Sequence, residues 1–414
     1  MDLMMIILLV SLLMIASGAI YHKIEALSIT EPFLALLLGI IVGPNVLNII
    51  KSASPHEEFE VLKTACEFTI AIALMATALR LPKHIFRKNY VTLSNLVVLG
   101  MLLMCFFSAG VFYFILPGLN FFECLLIGAI ITPTDPVIAS TLTTGKTAKK
   151  YLPEFIRNSL SFEAGINDGL VFPLVFLCLL LAGSAGFGLQ EWFTCIFLYE
   201  NILCAALAYG VGYLAGFVMK KAHKAGWMSQ KTLLTFSLAV TLLLLAGFDL
   251  LKMNAIIAVF SGGFAFAKEV TKKDDLKEEK IQESMERMTT IPVFFILGLM
   301  LPWHDWLEMG WKAVAIIGGI LFLRRIPALL VLMPVMPQLR NHLYSVLIMG
   351  WFGPIGVATL YYAILMEEQA HFKEVWVIPS LIVVASTVVH GLTSVPLEKL
   401  YHRKRSRANE FMDE

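Results

Sequence analysis

Charge is scarce in this chain. Asp, Glu, Lys and Arg make up 15% of its 414 residues, where a soluble globular domain carries about a quarter. Hydrophilic stretches are short too: none is long enough for a separate water-soluble domain, and the chain reads as a single domain. Cysteine is sparse and shows no CxxC spacing. Cys66, Cys105, Cys124, Cys178, Cys195 and Cys204 all fall in or beside apolar runs, which supports neither a disulfide framework nor a zinc site. They read as small buried apolar residues. A His-Glu-x-x-His pair, a nucleophile beside a base and a phosphate-cradling glycine loop are all missing, so the sequence gives no ground for an enzyme, a cofactor or ATP coupling. Nor is there a ring or repeated loop of the kind that selects ions in channels. The net charge of +1 gives no basis for nucleic-acid binding.

What is present is apolar. Hydrophobic residues make up 58% of the chain, and runs near bilayer length recur from Met4 to Pro396. The pattern predicts an all-α polytopic membrane protein with about thirteen spans. These cover residues 4–20, 30–49, 61–79, 92–115, 119–142, 155–182, 191–218, 232–250, 253–270, 287–302, 310–335, 341–365 and 374–396. With the C-terminal tail inside, most of the 32 Lys and Arg fall in inside loops, and only Lys51, Lys63, Lys252, Lys312 and Lys373 fall outside. That asymmetry places the N-terminus outside and the C-terminus in the cytoplasm, as in a plasma (inner) membrane protein. The first run follows Asp2 with no Lys or Arg before it, so it reads as a retained helix rather than a cleaved signal. Residues 1–398 read as one transmembrane domain, and 399–414 as a short basic tail. The mixed-charge stretch 268–287 reads as a solvated helical linker, with a regulatory or pH-sensing loop as the alternative.

Two spans are interrupted. Span 5 carries Thr132-Pro133-Thr134-Asp135-Pro136, and span 12 carries Gly350-Trp351-Phe352-Gly353-Pro354-Ile355-Gly356. Each proline lacks an N–H and disfavours helix at the residue before it. Broken helices at corresponding places in two halves point to a transporter binding site. Residues 1–183 and 232–398 then form two inverted six-helix repeats, with 191–218 as the linker helix. Carbonyls freed at the span 5 break, with the Thr134 hydroxyl and the Asp135 carboxylate, make an oxygen-rich spot suited to a hard cation.

Span 6 carries Glu163, Asn167 and Asp168 in an otherwise apolar run, where ionisable groups are costly and usually functional. Span 11 supplies Arg324 and Arg325, one of which is expected to neutralise Glu163. Asp168 is then the acid left to titrate. Burial disfavours a charged carboxylate, so a dehydrated Na⁺ or a proton can each neutralise it, and one excludes the other. If the protein changes its open side only when neutralised, exchange is coupled, and one cation for one proton moves no net charge.

Thr134-Asp135-Pro136, Glu163 through Asn167-Asp168-Gly169, and the Gly350–Pro354 segment, in that order over nearly the whole chain, resemble the NhaP/NHE-type cation:proton antiporters. Residues 139–153 and 157–173 look most similar to the bacterial and fungal sodium/proton exchangers. The resemblance implies two six-helix bundles, a homodimer in the lipid bilayer, and elevator-like movement of a core. It implies that Asp168 binds the ion, that Thr134 ligates it, and that Asn167 and Asp135 brace the helix crossing. An Asn-Asp pair marks the electroneutral branch. Glu163 would pair with a span 11 arginine; Arg324 and Arg325 are adjacent, and Arg325, two residues before Pro327, is preferred. The chain departs from the family pattern at Ala164, often Ser, and at Ile355, basic in some relatives.

The expected activity is exchange of Na⁺, or Li⁺ or K⁺, for H⁺. The alternatives are a K⁺-preferring exchanger of the same fold and a non-coupled channel or sensor. Glu67 in span 3 either lines the ion path or faces a polar neighbour. Glu200 reads as a polar interface position. His390 in span 13 is either a pH-sensing group or one end of an interhelical hydrogen bond.

Overall fold

The computed structural model describes residues 3–20, 30–51, 54–82, 85–136, 138–139, 145–228, 230–269 and 272–408. Among these, all regular structure is helical. In chain order the helices are α1 (Leu3–Ala19), α2 (Glu31–Val42), α3 (Pro55–Arg80), α4 (Asn89–Ile115), α5 (Phe121–Ile130), α6 (Gly145–Tyr151), α7 (Glu154–Leu181) and α8 (Leu189–Lys224). They continue with α9 (Gln230–Leu250), α10 (Ala255–Glu269), α11 (Lys272–Leu299), α12 (Trp303–Met309), α13 (Trp311–Leu323), α14 (Ile326–Leu332), α15 (Leu343–Trp351), α16 (Val357–Ala370) and α17 (Glu374–Ala408).

Six helical stretches of the described residues are long and apolar enough to cross a membrane, one of them Trp311–Val335 taken across α13 and α14, and a seventh span is reached if the pair Ser284–Leu299 and Trp303–Met309, bent by 66°, counts as one. Others are apolar but short, among them α2 and α5. Local chemistry explains the shortness. α2 stops at Val42 because Gly43-Pro44 follows. α5 starts on a capping box, with the Asn120 side chain accepting from Glu123 N–H while Glu123 accepts from Asn120 N–H, and stops where Pro133 intrudes. The helical reading of 268–287 extends into α11, whose bounds begin at Lys272.

Span 11 is less regular than its run of apolar residues suggests. The helix is interrupted at Arg324-Arg325, between α13 and α14, because Pro327 offers no N–H to the Leu323 carbonyl. This interruption releases both arginine side chains inward.

The interior forms two apolar clusters. The larger takes in Ile131, Ile138, Phe162, Ile355 and Val357; the smaller takes in Leu96, Ile156, Leu329, Met349 and Phe352. The segment between α15 and α16 therefore passes from one cluster to the other, and its polar backbone must be satisfied locally. The cysteines are all free; five are buried and Cys195 is exposed, unlike the uniform burial expected.

Candidate ion-binding site at two broken helices

Breaking a helix inside an apolar interior leaves carbonyls and N–H groups without partners, each costing free energy if left so. At the first break, Ile131 and Thr132 lose their acceptor role in the helix: Pro136 has no N–H for Thr132, and the Asp135 N–H turns away to the Pro354 carbonyl at 2.8 Å. Arg324 fills the gap. Its Nη1 donates to the Ile131 carbonyl at 2.5 Å and to that of Thr132 at 3.3 Å, and its Nη2 donates to the Gly353 carbonyl at the second break. One guanidinium thus closes the C-terminal ends of both α5 and α15, where the helix dipole favours positive charge.

Asp135 does the converse. Its Oδ1 accepts the Ile138 N–H at 3.1 Å, capping the helical turn that Pro136 opens, and its Oδ2 accepts the Val357 N–H at 2.7 Å, capping α16. One carboxylate serves two helix N-termini. Gly356 is required for this: a Cβ there would run into the Asp135 carboxylate. Gly353 is required in turn because a Cβ would meet the Arg325 side chain, with Nε at 2.9 Å.

The remaining groups of the second break are also taken. Ile355 N–H donates to Ser386 Oγ at 2.8 Å, and the Trp351 carbonyl lies 3.0 Å from His390 Nε2. His390 Nδ1 lies 3.0 Å from Ser386 Oγ. Nδ1 also lies 3.0 Å from the Ser386 carbonyl, so each ring nitrogen faces a carbonyl oxygen. His390 is thus one end of an interhelical hydrogen bond from α17 to the broken segment.

Arg325 turns towards α7. Its Nη1 and Nη2 donate to Glu163 Oε1 and Oε2 at 2.5 and 2.7 Å, while Nε donates to the Met349 carbonyl at 2.9 Å. Both side chains are almost wholly inaccessible, at 2% and 1%. A forked bidentate pair is the geometry that recovers the most of the desolvation such charges incur.

One turn along α7 lies Asn167, whose Nδ2 donates to Thr134 Oγ1 at 2.7 Å. Its Oδ1 has no partner among the described residues. Asp168 is 0% exposed, and neither of its carboxylate oxygens has a hydrogen-bond partner there. The charged neighbour acting on it is another acid, Asp135. Its backbone carbonyl accepts from the Tyr362 hydroxyl at 2.5 Å. Ala164, one turn before, contributes no polar atom. Thr134 and Asn167 are thus bonded to each other across the crossing and Asp168, next to Asn167 on α7, keeps both carboxylate oxygens unused among the described residues, while Asp135, Glu163, Arg324 and Arg325 are committed to backbone or to each other. Glu67 stands apart on α3, half-buried and near Tyr361, the residue next to Tyr362.

Residues 8–399 match the family model described as "Sodium/hydrogen exchanger, transmembrane".

The chain belongs to this family.

It is 29% identical to a Na(+)/H(+) antiporter of Saccharomyces cerevisiae, over 90% of this chain and 41% of that protein. It is 24% identical to a K(+)/H(+) antiporter NhaP of Alkalimonas amylolytica, over 88% of this chain and 61% of that protein. The chain therefore spans roughly half the length of these relatives. Its fold is that of the sodium proton antiporter MjNhaP1 from Methanocaldococcus jannaschii, with a TM-score of 0.72, 21% identity and full coverage of both chains.

Some groups that build this site were not visible as such in the sequence. Asn254 donates to the Gly169 carbonyl at 3.0 Å, replacing the N–H that Pro173 cannot give inside α7. Tyr362 and Ser386 were likewise unmarked. Asp135-Pro136 carried a usable signal, an N-cap acid before a proline at the first helical position.

Proposed function

We propose that the protein is a secondary antiporter exchanging Na⁺ for H⁺ one for one, by competition of cation and proton for Asp168. The observation that carries this reading is the Asp168 carboxylate, wholly buried with both oxygens unpartnered among the described residues, beside Thr134 and Asn167. A carboxylate in that setting must be neutralised, and either a proton or a dehydrated monovalent cation does so. Thr134 Oγ1 and Asn167 Oδ1 supply further oxygen for the cation. Both carboxylates that could compete are spent, Asp135 on two helix starts and Glu163 on Arg325, so one site charge trades one cation for one proton and the cycle is electroneutral.

Alternating access follows if the core re-exposes Asp168 on the other side only when it is neutralised; an elevator-type displacement keeps the crossing intact while doing so. The frame for this is about thirteen spans in one domain, with residues 1–183 and 232–398 as inverted repeats, 191–218 as linker, 399–414 as tail, and two copies as a homodimer in the plasma membrane, N-terminus outside and C-terminus in the cytoplasm.

Sodium is preferred as the cargo on the fungal likeness, and K⁺ is the second reading, favoured by Ala164, which removes a hydroxyl from the cation's surroundings. Inverted vesicles holding a pH gradient test both. Na⁺, Li⁺ or K⁺ is added separately to wild type and to Asp168→Asn. Cation-driven proton movement should vanish in the variant, and its persistence there overturns the assignment. Holding the membrane voltage at zero should leave the rate unchanged.

A further inference from the structure

A stripe on α17, Thr393, Leu397, Leu400, Tyr401 and Lys404, recurs at helical spacing and lines an apolar cavity of about 560 Å³. The opposite walls are Phe322 and Ile326 of the span 11 segment and Leu347 and Trp351 of α15. The cavity opens outward between large apolar side chains: Phe322 is 55% and Leu400 50% exposed. Two of its polar side chains are bonded within the protein. Trp351 Nε1 donates to Thr393 Oγ1 at 3.1 Å, and the Tyr401 hydroxyl shares a hydrogen bond with Ser345 at 3.0 Å. At one end stands the exposed ammonium of Lys404, to which no carboxylate of the described residues is bonded.

Thr393 to Lys404 is a rise of about 16 Å at ~1.5 Å per residue, and Lys404 closes the apolar stretch Glu374–Lys404, so the slot runs from the last turns of span 13 out to the membrane surface. An apolar slot that ends in a lysine without a carboxylate partner among the described residues is complementary to a single lipid chain with a negative headgroup.

We propose that this groove binds an anionic phospholipid, one acyl chain lying between α17, α15 and the span 11 segment and its phosphate on Lys404. The chain end would rest on Trp351, the residue that closes α15 and whose carbonyl accepts from Gly353 N–H at 2.8 Å. The lipid therefore bears directly on the broken segment. This inference is independent of what ion, if any, the protein moves.

Tryptophan quenching by acyl-brominated lipid tests it, with the full chain reconstituted in zwitterionic phosphatidylcholine. The part of the quenching that is lost in Trp351→Phe belongs to the groove. Brominated phosphatidylglycerol should reach half-maximal quenching of that part at about fivefold lower membrane fraction than brominated phosphatidylcholine, the factor one lysine contributes beside an anionic surface. Lys404→Glu should abolish the preference. Equal quenching by both lipids marks ordinary boundary lipid and overturns the proposal. Absence of quenching at Trp351 also overturns it, because the groove is then covered by protein, either this chain's tail or a second copy. Native mass spectrometry of wild type against Lys404→Glu gives a second readout that needs no core variant: retained phosphatidylglycerol should drop in the variant, and equal retention counts against the site.

Discussion

Glu163 and Arg325 stand 162 positions apart in the chain and meet as a closed fork, both oxygens of the acid accepting from both terminal nitrogens of the base at 2.5 and 2.7 Å. With this pair closed, and with Asp135 capping two helices, Asp168 is the acid at the crossing with no partner among the described residues.

Opening the fork has a large stability cost. Glu163→Gln leaves a buried guanidinium without its counter-charge, and breaking such a pair costs about 3–5 kcal/mol. The detergent-solubilised variant should lose its fold at lower temperature, read by size-exclusion chromatography after heating. The double variant Glu163→Met with Arg325→Met should lose less than the single one, since no charge is then stranded. A double variant less stable than Glu163→Gln would contradict this account of the pair.

Asp135→Asn should weaken the crossing without emptying the ion site. The amide keeps one oxygen acceptor, but its nitrogen then faces a backbone N–H. Loss of a hydrogen bond to a charged acceptor costs about 1.5–3 kcal/mol. Thermal stability should fall by an amount between that of wild type and Glu163→Gln, and transport should slow.

Two glycines separate close approach from mere helix propensity. Gly356→Ala places a methyl on the Asp135 carboxylate, and such overpacking costs about 1–3 kcal/mol. Gly110 lies within α4, where a methyl would meet nothing within 4 Å, and Gly110→Ala should be neutral or gain about 0.5–1 kcal/mol. Equal effects on melting temperature would argue that the two breaks do not meet as described.

Competition for one carboxylate fixes the sign of the pH effect on cation affinity. Where Asp168 holds the proton, the cation must displace it, so half-saturating Na⁺ should fall about tenfold for each unit of rising pH and then level off once the proton has gone. Steady-state uptake into proteoliposomes at a series of pH values measures this. A half-saturation that does not move with pH contradicts single-site competition.

Much of the frame was legible in the sequence because it rests on local rules. Apolar runs give the helices, and Pro133, Pro136 and Pro354 give the breaks. Glu163, Asn167 and Asp168 stand out as polar groups in an apolar helix. What was not legible is how the broken backbone is satisfied. Freed carbonyls at Ile131 and Thr132 read as open to a cation, but Arg324 occupies them from 193 and 192 positions away, and Asp135 reaches Val357 across 222. A charge that caps a distant helix end looks, in sequence, like any other buried charge. The helix lengths were also hard to read, since an apolar run does not reveal that Gly43-Pro44 or Arg324-Arg325 interrupts it.

The most direct measurement is proton release on cation binding. Purified protein in weak buffer is titrated with NaCl while a pH dye records the medium, and the same is done with Asp168→Asn and with KCl. If cation and proton compete at Asp168, wild type releases protons in step with bound cation, up to one per site, and Asp168→Asn releases none. Release of the same size from Asp168→Asn would contradict the assignment outright.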